Sequence, residues 1–289
     1  MLPDMKPKPR VAIVGAGNLG SALAVSLRGA GYVIDAVIAH SQGKSLHKAR
    51  ALARKVGARA LANLGDVKSE LVWFCVPDSE IRSAARSWAE NVSWKGRVAL
   101  HSSGALTSDE LSALRRKGAR VASVHPLMTF VRGSRPALAG VPFAVEGDMA
   151  AVRIARRIVG DLGGQSYPIR KQDKAAYHAW GTFASPLLTS LLATTQEVAG
   201  LAGVKPREAA RRMLPILMQT LSNYAEFGGS GGFSGPIVRG DIETVRKHLK
   251  VLGKAPQARG VYLALARAAL QYLPAKNRSS LKRLLHSER

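Results

Sequence analysis

Cysteine is nearly missing from this chain, with Cys75 the single one in 289 residues. That excludes an internal disulfide and any multi-cysteine zinc site, and a reducing, cytoplasmic setting is the expectation. Acid is scarce as well, with 19 Asp plus Glu against 43 Lys plus Arg, so the formal charge is +24. Such a field attracts anions: nucleic acid, a phosphorylated cofactor, a carboxylate substrate or an acidic partner. The basic residues fall in short scattered groups, as at Arg115, Arg116 and Lys117, which is the pattern of solvated helix faces. No nucleic-acid motif and no basic segment interleaved with aromatics is present, so nucleic acid is not an expected partner. A long apolar run is lacking too. The longest uncharged stretch, 179–196, is diluted by Thr, Ser, Gly and Pro and reads as a buried helix rather than a membrane span. Residues 1–10 hold Pro and Lys but no apolar stretch behind their charges, so they do not read as a secretory signal. A soluble protein without membrane contact, opening on a frayed tail over 1–9, is expected.

What is present is enough apolar sequence for a sizeable core, 46% of residues, in a length that suggests two domains. Short apolar runs at 11–14, 33–39, 71–76, 98–101, 121–124, 143–145 and 166–169 alternate with helix-like periods. That alternation is the mark of a mainly parallel sheet covered by helices. Beyond Lys171 the strand-like runs nearly vanish and helical segments follow, broken at 203–206 and by the glycine-rich stretch 228–235. The predicted organisation is α/β: a Rossmann-type doubly wound parallel sheet over 10–169 and an all-helical domain over 170–289. Leu187, Leu188, Leu191 and Leu192 give one helix an apolar side, expected in core or at a homodimer interface. Pro186 and Pro215 fall within helical stretches and predict kinks or boundaries.

Gly15, Ala16, Gly17, Asn18, Leu19 and Gly20 match G-x-G-x-x-G, with a strand directly before and an amphipathic helix after. The first glycine permits the tight turn, the second lets backbone approach a pyrophosphate, and the third allows helix to pack on strand. Helix-start N–H groups at Asn18, Leu19 and Gly20 then face negative charge. An NAD site would place an acid roughly 20 residues further on. Here His40, Ser41 and Lys44 stand instead, a hydroxyl and cationic groups suited to a 2′-phosphate, so NADP(H) is the expected cofactor. Asp35 is the one nearby acid and revives NAD if the strand ends earlier; Lys44 and Lys48 read equally as solvated helix-start residues.

Five further segments carry a family resemblance: 75–78 (Cys-Val-Pro-Asp), 101–104 (His-Ser-Ser-Gly), 124–130 (Val-His-Pro-Leu-Met-Thr-Phe), 174–178 (Lys-Ala-Ala-Tyr-His) and 235–241 (Gly-Pro-Ile-Val-Arg-Gly-Asp), together with the glycine turn itself. Together they resemble the family that joins a Rossmann-like domain to the helical domain DUF2520. That family stands near pyrroline-5-carboxylate reductase and the deazaflavin-dependent NADP oxidoreductases, and more distantly near prephenate and beta-hydroxyacid dehydrogenases. The resemblance implies a helical domain like the C-terminal one of 6-phosphogluconate dehydrogenase. It also implies an oxidoreductase moving a hydride to or from a small anionic carbonyl, imine or hydroxy compound.

On that resemblance Val76, Pro77, Ser102, Ser103 and Gly104 line the nicotinamide side of the cofactor. The plainer reading of those loops is turn chemistry, with Thr107 and Glu110 as a capping box. His125 is the expected proton partner, since imidazole exchanges a proton near neutral pH; a structural histidine braced by Pro126 is the alternative. Lys174, Tyr177 and His178, at i, i+3 and i+4, share a helix face. Lys174 and His178 are further catalytic candidates and Tyr177 a substrate contact, unless the segment is only a polar helix start. In beta-hydroxyacid dehydrogenases Asn stands where this chain has His178, and Pro186 likewise replaces an Asn common in the family. Arg239 and Asp241 are candidate substrate contacts by likeness to pyrroline-5-carboxylate reductases, with helix capping the alternative for Asp241. No metal site is expected. A nucleotide-binding sensor or assembly protein that does not turn NADP(H) over is the rival to the enzyme.

Overall fold

The computed structural model describes residues 7–39, 43–62, 65, 67–134 and 136–287. The chain divides into two compact units, Met1–Phe183 and Ala184–Arg289. In the first, strands β1 (Val11–Val14), β2 (Ile34–Ile38), β3 (Arg59–Leu61), β4 (Leu71–Phe74), β5 (Val98–His101), β6 (Arg120–Pro126), β7 (Pro142–Gly147) and β8 (Gln165–Pro168) form one sheet in the order 3-2-1-4-5-6-7-8. All neighbours run parallel except β6 and β7, which are antiparallel. The order reverses direction between β1 and β4, which opens a crevice beyond the carboxyl ends of those strands.

Central strands of such a sheet are covered on both faces, and every residue of β1, β2, β4 and β5 is buried. Alternate side chains part to opposite faces. Val11, Ile13, Trp73 and Leu100 pack with α1 (Asn18–Gly29), α2 (Lys44–Val56) and α5 (Met149–Asp161). Ala12, Val14, Phe74 and Ala99 pack with α3 (Asp78–Ala89) and α4 (Ser112–Arg116). The expected α/β Rossmann-type sheet is thus present, with β3 as an added edge strand that the apolar runs do not reveal.

Helix α6 (Lys174–Thr182) follows β8 and belongs to the first unit. The domain boundary expected at 169 therefore moves to 183. The reason is local: Lys174 and Tyr177 are buried by strands of the first unit. The expected capping box is also corrected. Thr107 does cap a 3-10 turn, Ser108–Leu111, by accepting from Asp109 N, but Glu110 turns away to pair with Arg82.

The second unit is helical throughout: α7 (Leu188–Leu201), α8 (Pro206–Gly232), α9 (Pro236–Arg239), α10 (Ile242–Leu252), α11 (Pro256–Tyr272) and α12 (Arg278–Ser287). A π-helical turn over Phe183–Leu187 contains Pro186, and α8 breaks at Gly228, whose φ is +68°. Val245, Leu249, Leu263, Leu270, Leu281 and Leu285 form a core between α10, α11 and α12. α7 and α8 contribute little to any core. Leu187 and Leu188, expected as core or interface, are 44% and 37% exposed, and α8 buries only Ala209. Among the described residues no single helix is long and apolar enough to cross a membrane.

Asp35, the acid that kept NAD open, lies near the amino end of β2 rather than at its carboxyl end. Its buried carboxylate accepts from Arg10, Arg59, Ser69 Oγ and the Lys68 N–H. Burial alone raises its pKa, but the donors from Arg59, Ser69 and Lys68 outweigh it and hold the carboxyl below its usual range. A depressed folded pKa stabilises the fold above the unfolded value near pH 4 and loses that contribution as pH falls through the folded one. Asp35→Ala is expected to cost about 1–3 kcal/mol at pH 7 in urea unfolding, with the difference from the native chain shrinking below about pH 4. An equal cost at every pH refutes the charge assignment.

Candidate active site

The loops after β1, β4, β5 and β6 meet at one edge of the sheet, because parallel strands share their carboxyl ends. The glycine turn opens this edge. Gly15 has φ +95°, and a Cβ there would sit 2.5 Å from the Cys75 carbonyl oxygen. A Cβ on Gly20 would sit 2.0 Å from the Gly15 oxygen, so both positions are closed to larger residues by backbone. Gly17 differs in kind. A Cβ there would meet nothing within 4 Å, so its lack of a side chain keeps open space in front of the helix start. α1 has no side-chain cap and no acid in its first turn, leaving its leading N–H groups to an external anion.

Two hollows in the first unit share Gly17 and Asn18. One, about 270 Å³, is lined by Leu19, Val76, Pro77, Asp78, Ser102 and Ser103. The other, about 960 Å³, runs between α1 and α2 and is lined by Lys44, Lys48, Lys55 and Arg132. Asn18 also ties the turn to the loop after β6, its Nδ2 donating to the Phe130 oxygen at 3.1 Å. The structure thus brings together Gly17, Asn18, Leu19, Val76, Pro77, Ser102 and Ser103 around one hollow, and Lys44 with Gly17 and Asn18 around the other. His40 and Ser41 lie outside the described residues. Both serine hydroxyls have protein partners: Ser102 Oγ accepts from Trp73 Nε1 at 2.8 Å, and Ser103 Oγ donates to Asp78 at 2.7 Å.

Beyond Ser103 stands a histidine pair. Gly104 has no room for a side chain, since a Cβ would lie 2.7 Å from His178 Cδ2 and 2.8 Å from His125 Nε2. The two imidazoles lie with ring centroids 6.3 Å apart. His125 Nδ1 is 2.7 Å from the Tyr177 hydroxyl, and the rings of that pair meet edge to face. Burial, then the nearby positive charge of Lys174, pushes the His125 pKa down to about 4, so the ring is neutral at pH 7. Burial, then the phenol of Tyr167, pushes the Tyr177 pKa upward, so that hydroxyl keeps its proton. A neutral imidazole bonded to a neutral phenol can either give or take a proton at Nε2, depending on which partner donates across the 2.7 Å contact.

Lys174 sits elsewhere than its spacing on the helix face suggests. It has no exposed surface, and its Nζ donates to Ser123 Oγ at 2.6 Å and to the Ser103 carbonyl at 3.0 Å. Burial lowers its pKa to about 8, against the pull of Glu146 and Asp78, which still leaves it mostly protonated at pH 7. The ammonium therefore braces β6 and the 101–104 loop from beneath. Neighbouring α6 residues differ in exposure, with Tyr177 buried and His178 exposed.

The sequence named His101 and Asp78 only as members of their segments, without a role, and gave Glu146 none. His101 is fully buried; its Nδ1 accepts from the Ser103 N–H at 3.1 Å, which leaves Nε2–H to donate to the Thr107 oxygen at 3.0 Å. Burial, then Lys174, lowers its pKa to about 4. Glu146 accepts from Ser108 N and Oγ. A lone acid ending the apolar run of β7 was the available signal. In the second unit, Asp241 caps α10 by accepting from Thr244 N and Oγ1, and Arg239 is exposed.

Residues 4–126 match the Rossmann-like domain family, and residues 141–269 match the domain of unknown function DUF2520. The chain carries both domains. Among solved structures it is similar to a Bacteroides fragilis protein assigned as an NADP oxidoreductase, with TM-score 0.75 and 21% identity over 90% of this chain and 97% of that one. It is also similar to a reductive aminase from Aspergillus terreus, crystallised with NADPH and ethyl-5-oxohexanoate, with TM-score 0.66, 15% identity and coverage of 95% and 98%. A pyrroline-5-carboxylate reductase from Coxiella burnetii gives TM-score 0.58, 15% identity and coverage of 98% and 99%. Such likeness establishes the fold. No curated protein matches the sequence.

Nitrogen-detected NMR of the imidazole rings checks the electrostatics. His101 and His125 are expected to stay neutral from pH 8 down to about pH 5, with His101 as the Nε2–H tautomer. Either ring titrating near 6.5 contradicts this arrangement.

Proposed function

We propose that this chain, a Rossmann-like domain joined to DUF2520, is an NADP(H)-dependent oxidoreductase acting on a small anionic carbonyl, imine or hydroxy compound. The observation that carries the reading is one edge of the sheet holding both an open, uncapped glycine turn and, past Ser103 and Gly104, a neutral histidine held by a phenol. Similar folds crystallised with NADPH add support.

The residues present fit a dinucleotide. Gly17 leaves room for a pyrophosphate against the α1 N–H groups, the smaller hollow suits the nicotinamide, and Lys44 with Lys48 suits a 2′-phosphate. Asp35 is not available to the ribose, being held by its own donors at the other end of β2. Bound there, the dinucleotide supplies or accepts the hydride. His125 has the proton task. In reduction its Nε2–H gives a proton to the oxygen or nitrogen that gains the carbonyl or imine electron pair; in oxidation the same nitrogen takes it back. Giving the proton leaves the His125–Tyr177 pair with one negative charge and taking it leaves one positive charge; exchange with water restores the neutral resting pair, in which Tyr177 donates to or accepts from Nδ1. Lys174 acts as a positioning residue rather than touching substrate, holding Ser103 and Ser123 in place. His178 shares the Gly104 pocket with His125 and borders the substrate.

The same reading takes the working form to be a homodimer. Leu214, Ile216, Met218, Leu221, Tyr224 and Phe227 on α8 are each more than half exposed. An apolar face of that extent on one helix marks a protein contact. Light scattering behind size exclusion is expected to give twice the 30.8 kDa chain mass, and Leu221→Glu with Met218→Glu to give a monomer. A monomeric native chain refutes the dimer.

Cofactor use is tested by isothermal titration at about 0.15 M salt, which screens nonspecific attraction to a basic protein. NADPH is expected to bind more tightly than NADH, with the preference reduced in Lys44→Ala; binding of neither rejects the reading. With a turnover substrate found by screening carbonyl and imine compounds, His125→Asn is expected to lower kcat about 10²–10⁴-fold while NADPH affinity holds. Unchanged turnover removes His125 from the chemistry.

A further inference from the structure

The second unit holds a charged hollow that the oxidoreductase reading does not use. It has a volume of about 580 Å³ and lies between α11 and α12, lined by Arg267, Gln271, Arg278, Ser279, Lys282 and His286 with Leu270 beneath. Among the described residues no carboxylate lines it, and none is ion-paired with Arg267, Arg278 or Lys282. Like charges gathered without a counter-ion repel one another, so the arrangement costs free energy unless something negative joins it.

Helix ends explain part of the charge. Arg267 donates through Nε and Nη2 to the Leu285 oxygen in the last turn of α12, and Arg278 donates to the Leu270 and Leu273 oxygens at the end of α11. Each helix C-terminus carries about half a negative charge, which together offsets roughly one of the three permanent positive charges. About two remain, before His286 is counted. The two guanidinium groups are also held by their carbonyl partners, so little side-chain freedom is lost when a ligand arrives.

We propose that this hollow is a binding site for a compact polyanion, namely a free di- or triphosphate group, inorganic or at the end of a nucleotide. The cations converge on one concavity of ordinary ligand-site size instead of following a line. Single-stranded nucleic acid calls for a basic track with aromatic platforms for the bases, and Phe, Tyr and Trp are missing from the lining. Planar guanidinium groups suit phosphate oxygens by paired N–H donors, Lys282 adds a point charge, and Gln271 and Ser279 add neutral donors.

The test is isothermal titration of the full chain with inorganic triphosphate, with orthophosphate and a 20-nucleotide RNA as comparisons. Triphosphate is expected to bind more tightly than either at a site distinct from the glycine turn, one that persists in Lys44→Ala. Lys282→Ala with Ser279→Glu places a carboxylate in the hollow from two exposed positions, and is expected to weaken that affinity at least tenfold. Lys44→Ala, in the other unit, is expected to leave it unchanged. Circular dichroism establishes that each variant folds, and Lys282→Ala alone gives the same direction if the double variant does not. The proposal is overturned by no triphosphate binding, by binding indifferent to Lys282, by binding lost in Lys44→Ala, or by RNA binding more tightly through the same residues.

Discussion

A lysine taken wholly out of water must find oxygen atoms or surrender its proton, and Lys174 finds two, on Ser123 of β6 and Ser103 after β5. Both acceptors belong to the carboxyl edge of the sheet, so the bond draws the start of α6 onto that edge. Tyr177 follows one turn later and reaches His125; His178 follows directly and reaches the space over Gly104. Removing the ammonium leaves the Ser123 hydroxyl without its donor and the Ser103 carbonyl with only the longer bond from Ser123 Oγ, and frees the helix that places Tyr177 and His178. The site is therefore built outward from a cation with no exposed surface.

Burial, and after it the same lysine charge, governs the histidines. With Lys174 protonated, a second positive charge on His101 or His125 would lie close by in a poorly solvated interior, and both rings stay neutral. For His101 this secures one tautomer and hence the backbone of Ser103. For His125 it yields a ring able to exchange its proton at Nε2 in either sense. The glycine turn is opposite in character: it carries unpartnered backbone dipoles and no charged side chain of its own. On the proposed reading, anion reception falls to the turn after β1 and proton exchange to the end of β6, so the two do not compete for the same groups.

Local pattern in the sequence made much of this visible. The runs at 11–14 and 98–101 coincide with β1 and β5, and the glycine turn sits between strand and helix as its spacing requires. β3 escaped notice because three half-exposed residues beginning with Arg59 have no periodicity to read. Helical spacing grouped Lys174 with Tyr177 and His178 but could not tell which would be submerged. That depends on partners more than fifty residues away in the chain, as with Ser123. Asp35 was ambiguous for the same reason, its donors coming from Arg10, Arg59 and Ser69. For Leu187 and Leu188 the sequence left core and interface open, and their exposure speaks against the core alone, since an apolar stripe on a helix does not say whether its own chain will cover it.

Gly104 differs from the other glycines of the site in what it guards. Gly15 and Gly20 adjoin main-chain atoms, where an added methyl group would break the turn itself. The neighbours of Gly104 are the tips of two imidazoles, groups that can swing aside at small cost to the core. Damage there would fall on the convergence of the two rings before it fell on the backbone, so the soundness of the fold and the placement of the rings come apart at this single residue.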